Sequence, residues 1–313
     1  MPSDARPVQS RRDLARALSR AARGSIADLL AVETPPLADP PWTIAITGPA
    51  GVGKSTLVSR LAPLRLARLQ AVPGARAQDL LAVLAIDPTS PVSGGAILGD
   101  RIRMDAIAGD PAVFIRSIAS GGSHGGLSRN IVNILNTMFD HGFAEVIVET
   151  VGAGQSEYAA RHLADCVVLV LQPDTGDFVQ AMKSGLMEVA DIYVVNKAQL
   201  PGAARTQGEL ESLLRYVTPA SRRWHPLVVP LRDPADLAAL DLAVQAHRAA
   251  MIPAEIAERR MRREQLWLSA MLNRRIEEIA QAGAGVSDLP TRRARYAHVL
   301  RALSDDLSRL PEG

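Results

Sequence analysis

Six short runs of apolar residues, rich in Val and Ile and bounded by turn formers, recur at positions 42–47, 81–86, 144–148, 166–171, 192–195 and 227–231. Continuous apolar runs of this length read as strands buried on both faces. Between them, apolar positions follow a helical period at 54–64, 127–139, 178–190 and 207–216. Strand and helix in alternation predict an α/β fold, a mostly parallel sheet flanked by helices, with its ligand at the carboxyl ends of the strands. The pattern changes towards the end of the chain, where two long, charged helical stretches at 252–281 and 291–310 bring no further strand. Pro253 and the break at 282–290 set them apart. They read as a cap on the sheet or as an arm for self-association, and the arm is the favoured reading. The Arg-rich amphipathic segment 11–23 faintly suggests a mitochondrial targeting peptide, but Asp13 and its closeness to the first strand favour an ordinary helical arm. The expected division is an N-terminal helical arm over 1–40, a core over 41–250 and a C-terminal helical extension over 251–313.

The first apolar run leads directly into Gly48-Pro49-Ala50-Gly51-Val52-Gly53-Lys54-Ser55-Thr56, a complete G-x-x-x-x-G-K-[ST] motif between a strand and a helix. Glycines let the backbone wrap a phosphate closely, and amides at the start of a helix favour negative charge. This predicts a P-loop NTPase core. Gly48, Ala50, Gly51, Val52, Gly53, Lys54, Ser55 and Thr56 form the phosphate site, Lys54 reaches the β- and γ-phosphates, and Ser55 places its hydroxyl on Mg²⁺.

Two other apolar runs end in acids, at Asp87 and at Glu149. An acid after a buried strand is costly unless a cation or donors meet it, and a P-loop beside it supplies Mg²⁺ and its waters. Either acid alone also fits a helix cap or a satisfied surface group; the two together beside a complete P-loop point to the metal. Gly152, three residues after Glu149, is placed to offer its amide to a γ-phosphate oxygen and to release it after hydrolysis. Asp100 and Asp105 follow the Gly94-Gly95 bend and read equally as groups near the metal or the attacking water and as surface residues. Lys54, Asp100 and Glu149 are the catalytic candidates, and Ser55, Asp87, Asp100 and Glu149 the metal candidates.

The fifth run ends in Asn196-Lys197-Ala198-Gln199, where guanine-specific hydrolases carry Asn-Lys-x-Asp. The aspartate of that motif accepts two hydrogen bonds from guanine, whereas Gln199 offers one acceptor oxygen and two N–H donors. Asn196, Lys197 and Gln199 are therefore expected at the base with weakened guanine selectivity.

Composition narrows the picture slightly. Thirty-five basic against 33 acidic side chains leave a net charge of +2, which gives no electrostatic reason to expect nucleic acid or a membrane as partner. No run reaches the roughly 18 apolar residues that read as a membrane span, and the expected location is cytoplasmic. The single cysteine, Cys166, lies inside an apolar run and reads as a buried core residue rather than a nucleophile.

These residues together resemble the methylmalonyl-CoA-mutase-associated GTPases, a family also known as arginine-transport kinases. The likeness runs from Gly48 to Lys197 and rests on the phosphate loop, Ala85-Ile86-Asp87-Pro88-Thr89-Ser90, Gly94-Gly95-Ala96-Ile97-Leu98-Gly99-Asp100-Arg101, Phe114-Ile115-Arg116, Gly125-Gly126-Leu127-Ser128, Val148-Glu149-Thr150-Val151-Gly152-Ala153-Gly154-Gln155-Ser156-Glu157 and Gly185-Leu186-Met187-Glu188-Val189-Ala190-Asp191. The resemblance implies a homodimeric, Mg²⁺-dependent GTPase that converts GTP to GDP and guards an adenosylcobalamin-dependent acyl-CoA mutase. It also implies a partner-sensing stretch around Asp177, Gln180 and Lys183, and a dimer arm in the C-terminal helices. The chain departs from the family at Gln199, at His124 where a leucine is expected, in the Ala71–Arg76 stretch that lengthens the link to Asp87, and after residue 230, where Leu231-Arg232-Asp233 replace a Ser-Ala signal. Other readings are a metallochaperone-type GTPase, disfavoured by six scattered His and one Cys, a small-molecule or protein kinase, and a scaffold without turnover.

Overall fold

The computed structural model describes residues 11–23, 41–73, 80–87, 109–119, 130–150, 156–173, 190–219, 221–282 and 291–307. Seven strands form one parallel sheet: β1 (Trp42–Thr47), β2 (Leu81–Asp87), β3 (Val113–Ala119), β4 (Glu145–Glu149), β5 (Cys166–Leu171), β6 (Ile192–Asn196) and β7 (Leu227–Leu231), in the spatial order β3-β2-β4-β1-β5-β6-β7. Eight helices accompany them among the described residues: α1 (Arg11–Arg23), α2 (Lys54–Gln70), α3 (Ile131–His141), α4 (Ser156–Leu163), α5 (Ala203–Val217), α6 (Leu237–Ala250), α7 (Pro253–Ala282) and α8 (Arg292–Leu307). β1 lies between β4 and β5, so the order reverses beside the strand that carries the phosphate loop. A crevice opens at such a point, which is where open α/β sheets take their ligands.

The apolar runs are continuous because both sheet faces are covered. On one face Ile44, Ile46, Val83, Ile147, Val168 and Val194 meet Leu57, Val58 and Leu61 of α2 and Leu240 and Val244 of α6. The other face is covered in two patches. Leu84, Ile86, Val146 and Val148 pack against α1 and α3, while Val167, Leu169, Tyr193 and Val195 pack towards α4 and α5.

β3 is the strand that the apolar pattern missed. Its residues Val113-Phe114-Ile115-Arg116-Ser117-Ile118-Ala119 include a charge because the strand is an edge and only half-buried. Arg116 uses that position to donate to the Ala15 carbonyl (3.2 Å) and to Ser19 Oγ (3.0 Å), fastening α1 over the sheet. Leu14, Leu18 and Ala21, at helical spacing, complete the attachment. α2 runs past the expected end at 64 to Gln70 with Pro63 inside it. The ring supplies no N–H to the ladder, but buried Leu61, Ala62, Arg65 and Leu66 hold both sides of the break. The helix expected over 127–139 runs from Ile131 to His141 in its described part, and that expected over 178–190 lies outside the described residues.

The amino ends of the strands carry a second polar layer. Asp165 accepts from the Thr43 amide (2.9 Å) and Asp191 from the Val167 amide (2.9 Å), each acid tying its strand to a neighbour. Arg259 of α7 donates to both oxygens of Asp191 at 2.9 and 2.8 Å, and Arg161 adds a contact at 2.8 Å. Ile256 packs on one face of the sheet, and Leu266 and Trp267 on the other. α7 thus crosses the amino edge, pinned near its start by Arg259.

Candidate functional site

The phosphate loop spans the turn from β1 to α2. Gly48 has φ +141°, and a Cβ there would stand 2.2 Å from the carbonyl oxygen of Val170. Gly53 has φ +98° and caps α2; its Cβ would stand 2.6 Å from Asn196 Nδ2. Glycine at these two positions therefore lets β5 and β6 press against the loop. No acid occupies the first turn of α2, so the positive end of the helix faces the loop uncompensated by its own sequence.

Four loop carbonyls are held by side chains. Lys54 Nζ donates to the oxygens of Gly48 (2.8 Å) and Pro49 (2.9 Å). Gln172 Nε2, just beyond β5, donates to Gly51 O (3.1 Å), and Asn196 Nδ2, at the end of β6, donates to Val52 O (2.8 Å). With these oxygens engaged by side chains, the N–H groups of the loop are the backbone polar atoms left for an anion. Gln172 was missed by sequence reasoning. Its only signal is a polar residue at the first position after a fully apolar strand adjoining β1, and no motif marks it.

The structure brings Ser55 and Glu149 together. Both are buried, and Ser55 Oγ donates to Glu149 Oε1 at 2.6 Å. Glu149 pairs in register with Ile46 of β1 and with Ala85 of β2, so Asp87 ends β2 two residues further towards the carboxyl edge. Thr150 follows; its amide donates to Ile46 O (3.1 Å) and its hydroxyl shares a hydrogen bond with that of Thr47 (2.8 Å), both hydroxyls being buried. The chain after Glu149 is thereby anchored to the strand before the loop. A serine hydroxyl and a carboxylate beside a polyphosphate cradle supply the oxygen donors that Mg²⁺ takes. The residues present fit that ion.

Val52 is buried, whereas Ala50, Gly51 and Thr56 are exposed around the loop. Lys197 and Gln199 are exposed in the turn after β6, and Lys197 is the non-glycine residue with positive φ, +54°, among the described residues. Asp100, Gly152, Asp177, Gln180, Lys183, Asp105, His124 and the Gly94-Gly95 bend lie outside the described residues, as does the side chain of Asp87.

Cys166, Asp191 and His247 also bring ligand-type atoms within 4.8 Å of one another, at the opposite edge of the sheet. Asp191 there is already engaged by Arg259 and Arg161, with Arg222 at 3.8 Å. Burial pushes the Cys166 thiol well above its ordinary value, so it stays protonated. Three guanidiniums and a neutral thiol make this cluster hostile to a cation. No helix among the described residues is long and apolar enough to cross a membrane.

Residues 19–284 match the family model described as methylmalonyl Co-A mutase-associated GTPase MeaB. A protein of Pyrococcus abyssi named as a GTPase is 45% identical over 196 residues, which are 62% of this chain and 58% of that protein. The chain thus spans little more than half of that relative's length. A protein of Caulobacter vibrioides, also named as a GTPase, is 34% identical over 259 residues, 81% of this chain and 77% of its own. The crystal structure of a LAO/AO transport system kinase superposes with a TM-score of 0.55 at 22% identity, covering 96% of this chain and 99% of that one. That last likeness concerns the fold alone.

Proposed function

This chain belongs to the family of methylmalonyl-CoA mutase-associated GTPases, and from that premise we propose that it hydrolyses GTP to GDP with Mg²⁺ and acts as a switch on an adenosylcobalamin-dependent acyl-CoA mutase. The observation that carries the reading is the loop itself, with four carbonyls held by side chains and Ser55 bonded to Glu149 beside it.

Phosphoryl transfer to water needs positioning and charge neutralisation more than covalent chemistry. The loop amides hold the phosphates, and Lys54, already lying along the loop, turns its ammonium towards the β- and γ-oxygens. Ser55, Asp87 and Glu149, with Asp100 assigned to the same centre, would hold Mg²⁺, which would supply positive charge to neutralise the phosphates. Thr150, tied to Thr47 and to Ile46, fixes the base of the segment that includes Gly152. The Gly152 amide then reports whether a γ-phosphate is present.

The switch is read through the stretch that carries Asp177, Gln180 and Lys183, which leaves β5 just after Gln172. Gln172 donates to the loop, so the sensing stretch starts at a residue in direct contact with the phosphate site. The chain works as a cytoplasmic homodimer, its 251–313 extension serving as the dimerisation arm beyond the 41–250 core. Met261, Leu268, Leu272 and Ile276 of α7 and Tyr296 and Leu300 of α8 are exposed apolar residues that a second copy would cover. Leu268→Arg with Leu272→Arg should convert the dimer to monomer in gel filtration with light scattering; an unchanged mass rejects the arm.

The mutase reading is tested by a pull-down from the native host with and without a non-hydrolysable GTP analogue. A cobalamin-dependent acyl-CoA mutase whose recovery changes with nucleotide is expected. Its absence from both samples, or equal recovery in both, contradicts the switch.

A further inference from the structure

A nucleotide whose phosphates lie in the loop has the carboxyl ends of β6 and β7 beside it for its base, because the turn after β6 touches the loop through Asn196 and Val52. Two features of that corner decide what base it reads. The first is Gln199, exposed in the turn. The turn is fixed by Ala198, whose amide donates to Leu231 O (2.8 Å), and by Leu200, whose amide donates to Lys197 O (2.9 Å). The second is the segment after β7. Arg232 and Asp233 donate their amides to Asp236 Oδ2 (2.7 and 3.3 Å), Ala235 donates to Asp233 Oδ1 (2.8 Å), Asp236 donates to Asp233 O (3.2 Å), and Pro234 has no N–H. This capping box engages each amide from 232 to 236 internally.

Guanine presents an acceptor at O6 and donors at N1 and N2. Gln199 stands at the aspartate position of Asn-Lys-x-Asp and there offers N1 and N2 a neutral amide with one acceptor and a pair of donors, while the segment after β7 has its amides engaged internally. Against guanine, Gln199 accepts from N1–H while its own NH₂ meets the N2 amino group, donor to donor. Against xanthine, the same amide accepts from N1–H and donates to O2, so both contacts are made. Hypoxanthine gives one bond with no opposed donor, and adenine gives one with the amide reversed.

We propose that Gln199 reads the Watson–Crick edge of the base, so that this site takes purine nucleoside triphosphates without guanine selectivity and accepts xanthine at least as well as guanine. The inference rests on the nucleotide site proposed above and deepens it by setting the substrate class. GTP becomes the substrate by abundance and by phosphate contacts, not by discrimination at the base.

The test is displacement of N-methylanthraniloyl-GDP from the full chain, with Mg²⁺, by GTP, ATP, ITP, XTP and CTP. The four purines should compete within about tenfold of one another, with XTP no weaker than GTP. Gln199→Asp should tighten GTP and weaken XTP, shifting their ratio by at least about tenfold, because it restores two acceptors. A wild-type preference for GTP over ATP and XTP of about a thousandfold, or a ratio unmoved by Gln199→Asp, overturns the inference while leaving the nucleotide site intact. Failure of the probe to bind at all, with Lys54→Ala no different from wild type, overturns both.

Discussion

Two glycines of the loop share a positive φ but have different surroundings. A Cβ at Gly48 would run into the backbone of β5, whereas at Gly51, φ +76°, it would meet nothing within 4 Å. Gly51→Ala should therefore cost only the backbone term, about 1–2 kcal/mol, while Gly48→Ala must also displace a strand and should cost about 3 kcal/mol or more. Urea unfolding of the two variants separates them, and equal losses would mean that β5 does not press on the loop. At this scale the motif gave the residues to look for: Lys54 lies along the loop on the Gly48 carbonyl, and Ser55 meets Glu149. Gln172 and Thr150 were not, because a single amide or hydroxyl acquires its role from which strand lies beside it. Sequence order puts β5 far from the loop, and only the sheet order restores the contact.

Among elements, the attachment of α7 depends on a charge pair that burial makes consequential. Asp191 is fully buried and receives two bonds from Arg259. Burial alone would raise this carboxyl, but the Arg259 hydrogen bonds and the charges of Arg259 and Arg161 hold it well below the ordinary carboxylate range. Arg259→Met leaves Asp191 short of its main partner and should cost about 3–5 kcal/mol in denaturant unfolding. Arg262→Met removes only a solvent-exposed pair with Glu258 and should cost below about 1 kcal/mol. A depressed folded value means that the Asp191 contribution is complete above the unfolded value and is lost as pH falls below it. The difference between wild type and Arg259→Met should be flat from about pH 5 to 8 and shrink only below about pH 4. A difference that grew on acidification would contradict the pairing. The same elements show where pattern reading stops. The core strands were legible as apolar runs because both faces are covered, whereas β3 was not, since its Arg116 serves α1 instead of the core. Continuation of α2 through Pro63 was hidden for a related reason: buried neighbours on either side override local propensity.

At the scale of the whole molecule the sheet separates two kinds of chemistry. The carboxyl edge gathers the loop, Ser55 and Glu149; the amino edge gathers the carboxylates and guanidiniums that hold α7. The fold class was legible from strand and helix alternation, and the sheet order places the loop on a central strand, between β4 and β5. The acids at the amino edge were not legible as a group, because Glu145 opens β4 while Asp165 and Asp191 precede β5 and β6, and they converge with arginines only in the fold. The described site supplies positioning and charge, and none of its groups is free to withdraw a proton from water. The isolated protein should accordingly turn over slowly, below about 10 per second in a multiple-turnover phosphate-release assay, and faster with the proposed mutase. A faster isolated rate would require a catalytic group outside this account.

The central claim is that a cradle of backbone amides and one ammonium holds a polyphosphate whose divalent ion is shared with Ser55 and Glu149. Calorimetric titration of a non-hydrolysable GTP analogue into wild type, Lys54→Ala and Glu149→Gln, each with and without Mg²⁺, tests it directly. Lys54→Ala should weaken binding at least about tenfold in either condition, and Glu149→Gln should lose only the increment that Mg²⁺ adds. Affinity unchanged by Lys54→Ala, or a Mg²⁺ increment that survives Glu149→Gln in full, would contradict it.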